Sequence, residues 1–544
     1  MPLISSLARM EAVRDGRARP LATVRHRHLA ERPLVLVPLT TAGEAGAPLG
    51  ALVGTDRDAP RLLVVPQPRD RDLRSAFLAE LADAVLPYVE GFADAVETEV
   101  RKETDPETGK KVPVEAELCA DAPQLLVPGA AGVEYVRLLG RSMRFRRTAE
   151  EDPETARPAP PRVPLLGRWL THYGERARVP GSALLMSMTQ LLSRHWATGQ
   201  SPLEDQHLGA LLAWIDPPEG LTGAEAALRA ELARDTGGLL LCPPAGPATD
   251  PAFDNRKLAP AMARYDRART ELAEVAAGPD SGSGSGSMAV ARRRAAEAAR
   301  GAAEREIRAL LESQLRPTWD AVWHGFDLLR ALPEGARVAE RWKRDRWSYT
   351  THRDRVRAGE PPQPRQDDAV SAARKLAVRE TALARLEAQE ALDDPLVMAA
   401  RRLAGEAFAG EVTEVVMEYT EAKVPRPRPL VTVRTDDTPL LAEGAKVHRA
   451  LGGSTTAQTA EFVEAVPGEP GLLTVRLTGG MGRGKVPDPG SVPEKGDRVC
   501  WTLFEHSPRG GPELPEPERT PWTHGGPPGD AVDGPDPLTS EDYL

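Results

Sequence analysis

Short apolar runs bounded by Gly, Pro and Asp open the chain. Pro33–Thr41, Leu49–Gly54 and Arg61–Val65 read as buried strands of a meander. From Asp72 the period changes. Phe77, Leu81, Val85, Tyr88, Phe92 and Val96 recur at helical spacing and predict one apolar stripe on a helix over 72–100. Asp105–Lys111 reads as a polar turn, Gln124–Val127 as a further strand and Ala131–Leu139 as a short helix. Residues 1–148 are expected to form an α+β domain.

A Pro-rich acidic linker, Ala149–Arg162, precedes a run of helical patterns over 165–176, 181–198, 203–215 and 224–234, punctuated by Gly and Pro. Trp169, Trp196 and Trp214 fall one per segment, so 163–277 is expected to be a small bundle with these tryptophans in its core. Gly/Ser-rich residues 278–287 read as a flexible linker. Residues 288–424 read as a long, basic helical stalk. Helices are expected over Met288–Leu315, ending before Pro317, then over Trp319–Leu332, Glu334–Arg357 and Asp367–Ala391, the last with Leu376, Leu383 and Leu386 on one face. Pro395 is placed to start a final helix that runs to about Lys423.

After Pro425 the pattern turns to β. Leu430–Arg434, Ala445–Ala450, Ala460–Val466, Leu472–Thr478 and Arg498–Phe504 read as strands, with a Pro467-Gly468-Glu469-Pro470-Gly471 hairpin turn. Residues 428–506 thus predict a small OB- or SH3-like β-barrel. Residues 507–544 read as a disordered acidic tail. The fold class expected is multidomain α+β: an α+β head, a helical middle with stalk-like helices, a terminal barrel and a tail. The length of 544 residues suits about 3–4 domains at ~150 residues each. Stalk helices beside a small barrel form a layout similar to the accessory stalk and barrel of some superfamily 1 helicases, an analogy of architecture alone.

Charge is unevenly distributed. The net charge is −10, yet 507–544 hold eight carboxylates and two arginines, and 288–357 hold 16 Lys+Arg against 10 Asp+Glu. A basic block in an acidic chain suggests an anionic partner. Its densest part is Arg341, Lys343, Arg344 and Arg346 interleaved with Trp342, Trp347 and Tyr349, followed by Arg353, Arg355 and Arg357. Basic residues among aromatics can pair phosphates and stack bases. The same pattern also describes an amphipathic helix that buries Val338, Trp342 and Tyr349 and leaves its arginines in solvent.

Several motifs are incomplete. Gly479–Lys485 has the GxxxxGK spacing of a P-loop, but Val486 stands where Mg²⁺ needs a hydroxyl, and Pro487-Asp488-Pro489-Gly490 opposes the required helix. Arg483 and Lys485 on this loop remain candidates for phosphate-backbone contact. A PD-(D/E)xK nuclease reading of the first domain finds Asp56 after one strand but only Gln67-Pro68-Arg69 after the next. Glu421-Ala422-Lys423 has the triplet, but at an expected helix end. Leu211–Asp216 imitates a Walker B strand but reads as a helix ending before Pro217. His26 and His28 alternate with arginines, which repel a metal cation. His195 and His207 read as helix-end or surface residues, and no HExxH, His/Cys cluster or GxSxG elbow occurs.

Cys119, Cys242 and Cys500 are too few and too scattered for a disulfide framework or zinc site, which suits a reducing compartment. No run approaches the ~20 apolar residues that span a bilayer, and the N-terminus lacks a signal-peptide pattern. A cytoplasmic, non-catalytic scaffold or accessory protein is expected, without cofactor. Its expected partners are another protein, such as a helicase or other ATPase supplied in trans, and nucleic acid. The alternatives are a metal-dependent nuclease-like hydrolase with its site in the N-terminal domain, and a pure protein–protein adaptor.

Overall fold

The computed structural model describes residues 3–104, 109–277, 285–452, 457–466, 468–469, 471–482 and 484–508. Residues 509–544, nearly all of the expected tail, lie outside the described residues, as do 278–284 of the Gly/Ser tract. The architecture is mixed helix and strand: an N-terminal α/β region, a helical middle and a closed C-terminal barrel.

After helix α1 (Leu3–Asp15), strands β1 (Leu34–Thr41), β2 (Glu44–Gly54) and β3 (Arg61–Val64) form the expected antiparallel meander. Helix α2 (Arg71–Glu90) starts where the Asp70 carboxylate accepts from Leu73 N, a side-chain N-cap. It buries Phe77, Leu81 and Val85 of the expected stripe. It stops ten residues earlier than the pattern predicts. Val96–Thr104 is β4, paired with β5 (Lys111–Cys119) in a two-stranded ribbon. Strand β6 (Leu125–Val127) then runs parallel to β1.

The expected boundary near residue 148 lies within one core. Helices α3 (Ala130–Met143) and α4 (Val163–Ala177) pack on the sheet and on each other. Strand β7 (Leu185–Ser187) extends the sheet parallel to β6, giving the order β3-β2-β1-β6-β7. Helices α5 (Met188–His195), α6 (Leu208–Ile215) and α7 (Gly223–Leu232) follow. Trp169 and Trp214 are buried but in different clusters, and Trp196 lies half-buried in a two-residue strand. These tryptophans do not share the core of a separate bundle.

Helix α8 (Ala259–Ala277) pairs with the first half of helix α9 (Ser285–Arg330), with Arg264 bonded to Glu306 and Arg292 facing Glu271. At ~1.5 Å per residue α9 is ~70 Å long. It runs through Pro317 rather than ending there. Ile307, Leu311, Leu315, Trp319, Val322, Phe326 and Leu329 are buried in the sheet's core at helical spacing. Burial of this stripe outweighs the ~3 kcal/mol that an interior proline costs a helix. The second half of α9, part of the expected stalk, is therefore core.

Helix α10 (Val338–Arg357) lies against β5, and helix α11 (Ala369–Asp393) starts at the capping Asp368. Leu386 of α11 is buried, whereas Leu376 and Leu383 are exposed. Helix α12 (Pro395–Leu403) has its proline in the first turn, as expected, but ends far short of Lys423. Gly405, at φ +74°, turns the chain into strand β8 (Ala407–Val416). The β-branched residues Val412, Thr413, Val415 and Val416 favour that strand.

Strands β9 (Leu430–Arg434), β10 (Lys446–Arg449), β11 (Gln458–Ala465), β12 (Leu472–Leu477) and β13 (Arg498–Thr502) match the five expected ones. With β8 they close a barrel in the order β8-β9-β12-β11-β10-β13. Its interior holds Phe408, Val431, Val433, Val475 and Trp501. A Cβ at Gly410 would lie 2.1 Å from the Arg434 carbonyl oxygen, so glycine lets β8 meet β9 here. Among the described residues no helix is long and apolar enough to cross a membrane.

Candidate anion-binding site on the basic helix

Helix α10 carries most of the residues expected to meet nucleic acid, and tertiary contacts divide them into three groups. Arg341 and Arg353 are buried, at 5 % and 4 % exposure. Arg341 donates to Gln389 Oε1 at 2.8 Å and to the His26 carbonyl at 3.0 Å. Arg353 donates to the Ala93 carbonyl at 2.7 Å and contacts Cys119 Sγ. The expectation that the arginines of this helix stay in solvent therefore fails at these two positions. Each donates to a backbone carbonyl from another part of the fold.

A second group holds the β4–β5 ribbon. Lys343 pairs with Glu99 at 2.6 Å, and Arg346 donates to the Cys119 carbonyl at 2.8 Å and pairs with Glu97. Arg357 pairs with Asp94 just before β4. The third group, Arg344 and Arg355, is partly exposed. Arg355 pairs with Glu360, and Arg344 reaches Glu340 one turn back at 3.2 Å. The aromatics are used internally. Trp342 donates to Asp121 and stacks on His28, and the Tyr349 hydroxyl donates to the Val89 carbonyl.

One cavity brings part of the set together. It measures about 380 Å³ and lies between the C-terminal end of α4, the middle of α10 and the exposed side of α11. Arg176, Arg341, Arg344 and Arg385 line it, with Asp345 the one carboxylate among its lining residues. Asp345 is 1 % exposed and accepts from Arg176 Nη2, Ser182 Oγ and the Ala183 amide. That carboxylate is committed to its own donors. The arginines are not equally committed: the Nε groups of Arg176, Arg341 and Arg344 are buried with no acceptor among the described residues.

The electrostatics favour an anion. Burial holds the Arg341 and Arg344 guanidinia below their ordinary values. At Arg344 the like charges of Arg385 and Arg341 push the same way, against Glu340. Buried guanidinium N–H groups without acceptors carry a desolvation cost, which an oxyanion relieves. Arg385 also donates to the Pro508 carbonyl. Arg176 and Arg385 escaped the sequence reading because they sit in separate helical patterns that only the fold joins.

Other candidates lie apart. Lys485 is exposed on the loop after β12, far along the chain from α10, and Arg483 lies outside the described residues. Residues 484–490 form turns and bends, without the helix a P-loop needs. Asp56 sits in the exposed β2–β3 turn and caps Asp58 N, while Gln67 donates to Asp266. Glu421-Ala422-Lys423 is an exposed turn beyond β8 rather than a helix end. Leu208–Ile215 is helical, as expected of the Walker B imitation. His195 and His26 are buried, with rings 6.0 Å apart, and His207 caps α6. Among the described residues no group of His, Cys, Asp or Glu is placed to hold a metal ion.

Comparison with protein families, with curated proteins and with solved structures finds no match to this chain.

Proposed function

We infer that the chain is a non-catalytic accessory protein that engages a nucleic-acid backbone at the arginine pocket and works beside a separate nucleic-acid enzyme, such as a helicase or other ATPase. The observation that carries this reading is one cavity lined by four arginines, three of which have a buried Nε with no acceptor among the described residues. Arginine forks suit phosphate oxygens, and a phosphate is the commonest anion a nucleic acid presents. The outward Arg355 and the paired Arg357 extend a basic surface along the same helix. The barrel supplies a second folded unit on which a protein partner can dock.

Fluorescence anisotropy with a short DNA and a short RNA tests the reading, using wild-type protein and an Arg344→Gln/Arg385→Gln variant. These two arginines are chosen because Arg341 and Arg176 hold the fold together. Binding by the wild type that the variant weakens about tenfold supports the reading. Wild-type protein that binds neither probe at low salt contradicts it.

The adaptor reading has its own support in α11, where Leu376 and Val378 are 55 % and 59 % exposed beside the pocket. An acidic peptide with apolar residues at helical spacing would use both features. Failure of both nucleic-acid probes favours this second reading.

A further inference from the structure

A second cavity, about 220 Å³, lies in the N-terminal α/β region, between the β2 end of the first hairpin, the first turns of α2 and helix α3. Its apolar walls include Leu78 and Leu138, and Arg71, Arg74 and Arg146 supply its charge. Tyr135 of α3 also lines it. This tyrosine is 4 % exposed, and its hydroxyl is buried with no hydrogen-bond partner among the described residues. Buried tyrosine hydroxyls ordinarily find a partner, so an orphan against a cavity marks a place for an acceptor.

Arg71 is exposed at the start of α2 and makes no ion pair among the described residues. Arg74 reaches the Gly46 carbonyl only at 3.4 Å. Among the described residues no carboxylate lines the cavity beside Arg71 and Arg74. Burial alone holds the Tyr135 phenol far above its usual range, so it remains a neutral donor at any ordinary pH. The cavity thus offers cationic groups, apolar walls and one buried donor. Its volume is below the ~300–1,000 Å³ typical of drug-sized ligands.

We propose that this cavity binds a small aryl or similarly apolar anion, a carboxylate or a phosphate monoester, with the arginines on the charged group and the Tyr135 hydroxyl donating to an acceptor of the ligand. The site is separate from the arginine pocket and does not depend on the function proposed for it.

Isothermal titration calorimetry of the full chain with benzoate, phenyl phosphate and inorganic phosphate tests the proposal. One or both aryl anions should bind at millimolar concentration or better, and inorganic phosphate more weakly, because it leaves the apolar walls unfilled. Benzoate alone or phenyl phosphate alone tells which anionic group the site takes. Arg74→Gln should weaken binding about tenfold. Tyr135→Phe should weaken it several-fold while leaving the melting temperature unchanged or higher, because it removes a buried unsatisfied hydroxyl. That opposed pair of readouts separates a ligand contact from a packing role. Absence of binding by both aryl anions overturns the proposal, as does binding that neither variant weakens.

Discussion

Arg176 of α4 donates from Nη2 to Asp345 of α10 at 2.8 Å, across 169 residues of chain. The pair sets one wall of the arginine pocket. The same carboxylate accepts from Ser182 and from the Ala183 amide next to β7, so it ties the basic helix to the edge of the sheet.

Replacing Asp345 by Ala should therefore cost about 3–5 kcal/mol, the range for removing one partner of a buried ion pair. Urea unfolding of the full chain reads this as a lower midpoint. A change under about 0.5 kcal/mol would show that Asp345 is not the anchor described.

The arginines of α10 should separate in the same assay. Arg353→Gln removes the guanidinium donor to the buried Ala93 carbonyl, leaving only the weak Cys119 thiol at 4.0 Å, and should destabilise by about 1–3 kcal/mol. Arg355→Gln removes only an exposed pair with Glu360 and should stay within about 0.5 kcal/mol. Equal effects at the two positions would contradict their assignment to different roles. The same contrast means that a multiple α10 variant including Arg353 confounds binding with folding.

Acid should weaken the fold before the carboxylates titrate. Burial holds His195 at about 4 and His352 at about 3, below the ordinary 6.5, and pushes His172, stacked on His352 at 4.2 Å, the same way. As pH falls below 6.5 the unfolded chain takes up these protons first, so stability is full above 6.5 and drains toward pH 4. Each such histidine contributes about 1.4 kcal/mol per pH unit in that window. His352→Phe should flatten the slope of unfolding free energy by about that amount between pH 6.5 and 4. An unchanged slope would show that His352 titrates normally in the folded chain.

The barrel was legible because its strands are short, apolar and bounded by turn residues. The exception is β8: Pro395 correctly opened a helix, but the Val412–Val416 β-branched run was absorbed into its expected continuation. The ribbon β4–β5 was hidden for a related reason. Val96, Thr98 and Val100 alternate with Glu97, Glu99 and Arg101, but Val96 also falls one helical step beyond Phe92, so the segment reads as an extension of the α2 stripe. Pro317 misled because the cost of a proline is local, while the burial of Trp319 and Phe326 that overrides it is tertiary. At the candidate site, sequence pointed to Arg341 and Arg344 through local charge density. It gave no sign that Arg341 is spent on the carbonyl of His26, 315 residues away, or that Arg176 and Arg385 complete the pocket.

The salt dependence of nucleic-acid binding tests the central claim most directly. Each phosphate neutralised releases counterion, giving a log–log slope of about −0.9 per contact on duplex and about −0.7 on single strands. Wild type and Arg344→Gln/Arg385→Gln should be titrated by anisotropy from low to moderate salt, with melts run alongside. The account predicts that the variant melts like the wild type, binds about tenfold more weakly and shows a slope shallower by about two contacts. Parallel slopes for the two proteins would contradict a phosphate-binding role for the arginine pocket.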